Sequence, residues 1–396
     1  MDPSRIMQVG MGFWPAKTLL SAVELGVFTK LGERPMTGAE LGKSLGLAPR
    51  GWYDFFDTLV ALGFLEREGQ GPTGRYRNGA EAAMFLDRNR PSYVGGFLEM
   101  CSARLYRFWG DLTDGLRTGA PQNELKHGGN SVFEELYRDP TRLELFMQAM
   151  AGISAGNFHS FAEKFDFSRY RTMVDIGGAT GQLSTFCAQR HPQLRVTSYD
   201  LPEVEPIARR TIERAGLGDR VQTGALDFFK QPIPKADVVT MGMILHDWNL
   251  EKKMHLIRSA YAALPDGGAF VAIENIIDDD RRRNAFGLMM SLNMLIEFGD
   301  AFDFSGADFD GWCKRSRLPS HRDRAPRRPG QRGDRLQVDR EQASTPDTVQ
   351  PSALSRKRRC CTVPLARAST PDTVQLARSA WVLVASGDQH LDIKVA

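Results

Sequence analysis

A lone histidine beside acids is the group in this chain best suited to moving a proton. Met243-Ile244-Leu245-His246-Asp247-Trp248-Asn249 runs from an apolar stretch into a polar helix start, and a second apolar run ends at Ile273-Glu274-Asn275. If both runs are strands of one sheet, the imidazole of His246 and the carboxylate of Glu274 meet at adjacent strand ends. That pairing can take a proton from a hydroxyl near neutral pH. Three further acids close earlier apolar runs. Asp175 precedes the glycines of Val174-Asp175-Ile176-Gly177-Gly178-Ala179-Thr180-Gly181, Asp200 ends RVTSYD, and Asp227 follows RVQTGAL. Glycines let a backbone turn tightly and approach a ligand closely. An acid just before them would repel a pyrophosphate but suits a ligand carrying an amino group and a sulfonium charge. Asp200 is placed to accept hydrogen bonds from ribose hydroxyls, and Asp227 to receive an adenine amino group. The bland alternative is that these acids only cap helices.

These residues need a frame, and the rhythm of the chain supplies one. From residue 171 short β-rich runs alternate with helical stretches, which implies an α/β fold: a parallel sheet with helices on both faces, whose ligands bind beyond the carboxyl ends of the strands. Before it, Leu19, Leu20, Val23, Val27, Phe28 and Leu31 recur at helical spacing, and Thr37 with Glu40 has the form of a capping box. Trp52, Phe55, Phe56, Leu59 and Leu62 stripe another helix that Gly63 ends, and a turn-rich hairpin follows. This is a winged-helix plan. Its would-be recognition helix offers Arg50, Asp54, Asp57 and Thr58 to solvent, a poor set for phosphates, so dimerisation suits the module better than DNA binding. Residues 100–165 are helical and rich in Phe, Met, Leu, Tyr and Trp, fit for a core and for the wall of an apolar pocket.

VDIGGATG, YDLPEV, ALDFF and ILHDWN, with IEN after the fifth strand, resemble the plant-type and bacterial small-molecule O-methyltransferases, from about residue 10 to 313. The resemblance implies a Rossmann-like methyltransferase domain preceded by a winged-helix dimerisation domain, a homodimer, and S-adenosyl-L-methionine as methyl donor without a metal. It implies that Asp175, Gly177 and Gly178 hold the methionine part of the donor and Asp200 and Leu201 its ribose, with Asp227 and Phe228 flanking the adenine. His246 matches the general base, Glu274 the acid that orients it, and Asp303 a second orienting acid. Met150 and Met294 match methionines that clamp the substrate ring. Two departures stand out. Gly242 and Met243 occupy positions where relatives often carry Lys or Arg, and Asp303 is one methylene shorter than the usual Glu.

A larger departure begins near Lys314, where a Gly-Phe turn and two antiparallel strands are expected. The chain reads KRSRLPSHRDRAPRRPGQRGDRLQVDREQ instead, and ASTPDTVQ at 343–350 recurs at 368–375. Residues 314–396 hold 17 Lys+Arg against 8 Asp+Glu, a balance of +9; since the whole chain is +3, residues 1–313 sum to −6. Arg- and Pro-rich text of this kind is what GC-rich DNA gives in a wrong reading frame; a basic arm for nucleic acid or lipid and an unusual local fold are the competing readings. The expectation is an irregular tail with one short strand at AWVLVAS and a sheet whose edge is left uncovered. The divisions expected are 1–99 for dimerisation, 100–165 for connecting helices, 166–313 for the donor-binding domain and 314–396 for the tail.

Composition narrows the rest. With 42% hydrophobic and 25% charged residues the chain is an ordinary globular one. No apolar run reaches the roughly 20 residues of a membrane helix, and the first residues lack a signal-peptide pattern, so a cytoplasmic protein with neither membrane nor nucleic-acid partner is expected. The five cysteines form no C-x-x-C pair, which argues against a structural metal. Three rivals remain. An NAD-dependent oxidoreductase would want G-x-G-x-x-G, a winged-helix regulator a basic recognition helix, and a catalytically impaired homologue would keep the donor site but lose turnover.

Overall fold

The computed structural model describes residues 2–90, 92–129, 136–316, 361–363 and 381–386. The N-terminal part packs helices Phe13–Glu24, Val27–Glu33, Gly38–Ser44 and Trp52–Ala61 on a small antiparallel sheet. Gly26, at φ 72°, turns the chain between the first two. The capping box forms as expected. Glu40 N–H donates to Thr37 Oγ1 (3.2 Å), and Thr37 N–H donates to Glu40 Oε2 (2.8 Å). Val23, Val27, Phe28, Leu31, Phe56 and Leu59 are buried in one cluster, as their spacing predicts, whereas Leu62 stays 38% exposed at the helix end. The wing hairpin pairs β2 (Leu65–Glu68) with β3 (Arg75–Asn78), and a two-residue strand, β1 (Met36–Thr37), joins β3's other side. The helix Trp52–Ala61 turns acids outward: Asp54 pairs with Arg50, and Asp57 accepts from Tyr76 Oη (2.6 Å).

A long helix, Pro140–Lys164, then leads into the second sheet. Its N-terminus is capped by Asp139, whose side chain accepts from Thr141 and Arg142 N–H, and Pro140 occupies the first turn, where a missing N–H costs nothing. The sheet holds β4 (Thr172–Ile176), β5 (Arg195–Asp200), β6 (Val221–Ala225), β7 (Val238–Gly242) and β8 (Ala269–Glu274), all parallel, in the order β6-β5-β4-β7-β8. The order reverses at β4, so a crevice opens between the carboxyl ends of β4 and its neighbours. One face packs Phe161, Phe167, Met173, Leu183 and Val196, and the other Ile176, Val239, Leu256, Phe270 and Phe309. Every residue of β8 is buried, which needs cover on both faces and along both edges.

The expected uncovered edge is not what the structure shows. Two strands of the tail, β9 (Cys361–Val363) and β10 (Trp381–Ser386), extend the sheet, with β10 antiparallel to β8 from Trp381 opposite Glu274 to Ser386 opposite Ala269. The WVLVAS strand anticipated from sequence is therefore present and pairs with the main sheet. Lys314, Arg315 and Ser316, assigned above to the irregular tail, continue the helix Gly306–Ser316 instead. The basic text between these elements lies outside the described residues. Because β10 supplies the hydrogen-bonding neighbour of a wholly buried strand, a chain ended after Ser316 should melt at least about 5 °C below the full chain in differential scanning fluorimetry, about 2 kcal/mol for a domain of this size; equal melting would deny β10 that part.

Candidate active site

β4 stops at Ile176 and the chain turns through Gly177, at φ 71°. A Cβ on Gly177 would lie 2.3 Å from Ile244 Cδ1, and one on Gly178 would lie 2.1 Å from Ser198 Oγ. Positive φ favours glycine at Gly177, and a side chain at Gly178 would have to displace the Ser198 hydroxyl, so the loop lies close over the sheet. The next residue, Ala179, also takes a positive φ of 49°. Its N–H donates to Asp200 Oδ2 (2.8 Å), while Leu201 N–H donates to Asp200 Oδ1 (2.8 Å). Asp200 thus ties the end of β5 to the glycine turn, and burial pushes its pKa up to about 6. Asp175 lies beneath the turn, 2% exposed, accepting from Thr240 Oγ1 (2.8 Å) and Ser184 Oγ (3.2 Å). Burial raises its pKa to about 6 as well. Asp227 accepts from Phe229 N–H and from Lys230, the latter chiefly holding its carboxyl below the usual range. Phe228 stands beside it, edge-on to Phe229 with ring centres 4.9 Å apart.

After β7 the chain makes a single 3₁₀ turn, Leu245–Asp247, that carries His246. Glu274 fixes this turn through the backbone: its Oε1 accepts from Ile244 N–H (3.1 Å) and Leu245 N–H (2.8 Å). The imidazole itself lies between two other carboxylates. Nδ1 is 3.5 Å from Asp303 Oδ1, and Nε2 is 3.3 Å from Asp247 Oδ1. Within the trio His246, Glu274 and Asp303, one polar atom of each lies within 4.8 Å of the others. Burial alone would favour the neutral ring, but Asp247, then Glu274 and Asp303, outweigh it and carry the pKa of His246 up to about 10. Burial pushes Glu274 up to about 7 and Asp247 up to about 6, and in each case the nearby imidazole opposes the rise.

One cavity of about 590 Å³ joins these parts. Its wall includes Asp175, Gly177, Gly178, Asp200, Leu201, Asp227, Phe228 and His246, together with Met150 and Met294 from the flanking helices. Glu274 and Asp303 lie behind His246 rather than in the wall. Several wall residues were not anticipated. Asp247, next to His246, has its carboxylate on the ring's other nitrogen. Arg104 sits in a π-helical turn, Cys101–Leu105, and is held by Glu124 (2.7 Å) and Glu297 (3.1 Å). Trp109 donates from Nε1 to Asn293 Oδ1 (2.9 Å). Phe158 explains Gly242: a Cβ there would meet Phe158 Cε1 at 2.8 Å, so an aromatic ring occupies the space a basic side chain would need.

Sequence comparison agrees with this geometry. The profile of the O-methyltransferase domain matches residues 109–304, and that of the O-methyltransferase dimerisation domain matches residues 7–88. The chain is 40% identical over 310 residues to the tetracenomycin polyketide synthesis 8-O-methyl transferase TcmO of Streptomyces glaucescens, covering 78% of this chain and 89% of that one. It is 32% identical over 313 residues to the 3-hydroxy-5-methyl-1-naphthoate 3-O-methyltransferase of Streptomyces sahachiroi, covering 79% and 88%. The chain belongs to the O-methyltransferase family. Its fold matches the crystal structure of human N-acetylserotonin methyltransferase in complex with S-adenosylmethionine at a TM-score of 0.77, with 24% identity over 98% of this chain and 99% of that one. The chain is thus an S-adenosylmethionine-dependent O-methyltransferase with a Rossmann-like catalytic domain and a dimerisation domain.

If His246 takes the acceptor's proton, only its neutral imidazole can do so, and turnover should rise with pH across the alkaline range set by its elevated pKa. Asp303→Asn removes one negative charge beside Nδ1, lowers that pKa and moves the rising limb toward neutrality. A kcat–pH profile with the same midpoint in both proteins would contradict the assignment of Asp303. Gly242→Lys should unfold the loop or abolish donor binding, and Phe158→Ala in the same chain should restore part of it, read by S-adenosylhomocysteine calorimetry.

Proposed function

We propose that this O-methyltransferase methylates a phenolic hydroxyl of a flat, polycyclic aromatic acceptor of the polyketide kind, with His246 as general base. The observation that carries the proposal is the shared cavity: the glycine turn and strand-end acids form one wall, the buried imidazole lies at its floor, and Met150, Met294, Trp109 and Phe158 supply an apolar wall beyond. Methionine sulfur and aromatic rings favour flat apolar faces without demanding one shape. TcmO and the naphthoate enzyme carry names of fused-ring acceptors, which supports the same class.

The residues present fit the donor. Gly177 and Gly178 leave the backbone open to a ligand, and the cavity wall offers Asp200 and Leu201 to hold the ribose, Asp227 and Phe228 to flank the adenine, and Asp175 to lie under the methionine part. Bound there, S-adenosylmethionine supplies a methyl group on a sulfonium leaving group. The chain's own work is to exclude water, hold the acceptor oxygen in line, and take its proton on His246. Glu274 holds the turn that presents the ring, and Asp303 and Asp247 stabilise the imidazolium that results. No step requires a metal.

The enzyme works as a homodimer in this reading, in the cytoplasm and without nucleic acid or lipid. Ile6 and Val9 are 76% and 75% exposed, and Phe13 and Trp14 are more than half exposed, an apolar surface that a second copy would cover. Light scattering should give a dimer for the full chain and a monomer once residues 2–14 are deleted; a monomeric full chain would remove this part of the proposal. A screen of labelled methyl transfer over naphthols, anthraquinones and linear tetracyclic phenols tests the activity. Transfer should survive chelator, vanish when the phenol is already capped, and fall about 10²–10⁴-fold in His246→Ala while S-adenosylhomocysteine still binds. Full turnover in His246→Ala would overturn the base assignment.

A further inference from the structure

The helix Leu250–Ala263 buries Leu256, Ile257 and Ala260 against the sheet, and at the head of the same stripe, where another apolar residue would fit, stands Lys253. Its side chain is wholly buried. Its Nζ donates to the backbone carbonyl of Trp248, the residue that closes the 3₁₀ turn carrying His246, and lies 3.8 Å from the ring centre of Phe302 and 5.8 Å from that of Phe304. Phe302 and Phe304 flank Asp303 in the chain, and Glu274, Asp303, Asp247 and Asp300 are near enough to act on the ammonium electrostatically. Asp303 has both carboxylate oxygens buried without a hydrogen-bond donor, and Glu274 Oε2 has none either. Buried carboxylates left like this need a cation nearby. With His246 protonated, Asp247, Glu274 and Asp303 leave two negative charges in a dry pocket, and one more cation reduces that to one.

We propose that Lys253 is a positioning residue for methyl transfer: its buried ammonium counterbalances the carboxylates around His246 and tethers the turn that bears the imidazole. The charged groups bearing on this cluster are Asp247 on the turn, Glu274 on β8, Asp300 and Asp303 on the following loop, and Glu297 on the helix Ala285–Phe298. Burial pulls the lysine down to about 8, opposed by Glu274, Asp303, Asp247 and Asp300, so at neutral pH it still carries its charge. At neutral pH that charge favours the ionised forms of Glu274 and Asp247, which burial alone would protonate.

This inference rests on the base assignment above but has a test that needs no acceptor. In the S-adenosylhomocysteine complex, the ring signal of carbon-labelled His246, identified among the chain's seven histidines by its loss in His246→Ala, follows the titration of the carboxylates beside it below about pH 8. Lys253→Met should move that titration upward by about one pH unit, with S-adenosylhomocysteine affinity within about threefold of the parent. Lys253→Gln keeps a donor for the Trp248 carbonyl without the charge and should shift it equally. An unchanged titration in both variants overturns the proposal, as does failure of both to fold, which would make Lys253 structural only. Absence of any methyl transfer by the parent would instead count against the proposed function and leave the titration to decide Lys253.

Discussion

Everything at this site depends on holding an ionisable ring in a dry place among acids. Transfer of an imidazolium into an apolar interior is costly, and transfer of a carboxylate is costly too. Here each makes the other tolerable: Asp303 and Asp247 lie 3.5 and 3.3 Å from the two nitrogens of His246. The cost is distributed unevenly. Asp247 faces the cavity, Glu274 uses one oxygen on two backbone N–H groups, and Asp303 is left with no donor at all. Only a sheet rigid enough to fix β7 and β8 in register can hold such a cluster together, and the wholly buried β8 supplies that rigidity.

The same sheet explains why the donor side of the cavity is built from backbone. Strand ends converge where the order reverses at β4, and the turn after β4 must lie over β5 without side chains in between. Asp200 then does two things with one carboxylate: it fixes the glycine turn through Ala179 and Leu201, and it faces the cavity. Asp175 has its oxygens engaged by Thr240 and Ser184, so its contribution beneath the loop is to hold β4, β7 and the following helix together.

Much of this was legible in the residues because it rests on local rules. Strand ends followed by acids, glycines in a turn, and a capping box at Thr37 each leave a short-range signature. What depends on contacts between distant segments did not show. That Phe158 fills the space beside Gly242, that Arg104 meets Glu297, and that Asp247 rather than Glu274 lies against the imidazole are facts of packing across the fold. Glu274 was legible as an acid near the ring but not as a clamp on the backbone of its turn. Lys253 did leave a trace, a charge at an apolar position of the stripe formed with Leu256, Ile257 and Ala260, though the sequence offers no way to see what it faces. The tail was legible as foreign text with one credible strand, and the pairing of that strand with β8 needed the sheet to be seen.

Charge flow gives the cluster its purpose. With His246 as the proposed base, methylation of a neutral hydroxyl begins with a positive charge on the donor and ends with one on the ring, so the protein must favour cationic character there as the reaction proceeds. Carboxylates on the ring's far side and flank do this without crowding negative charge onto the sulfur, where it would stabilise the reactant instead. The opposite error is also possible: a ring held too firmly in its protonated form cannot begin the next cycle. Three acids around one imidazole lean toward that error and carry its pKa up to about 10. At neutral pH a buried ammonium, reaching the turn through the Trp248 carbonyl, offsets part of the acids' charge. In the proposed reading that offset is why a lysine can be kept where the helix pattern asks for an apolar side chain.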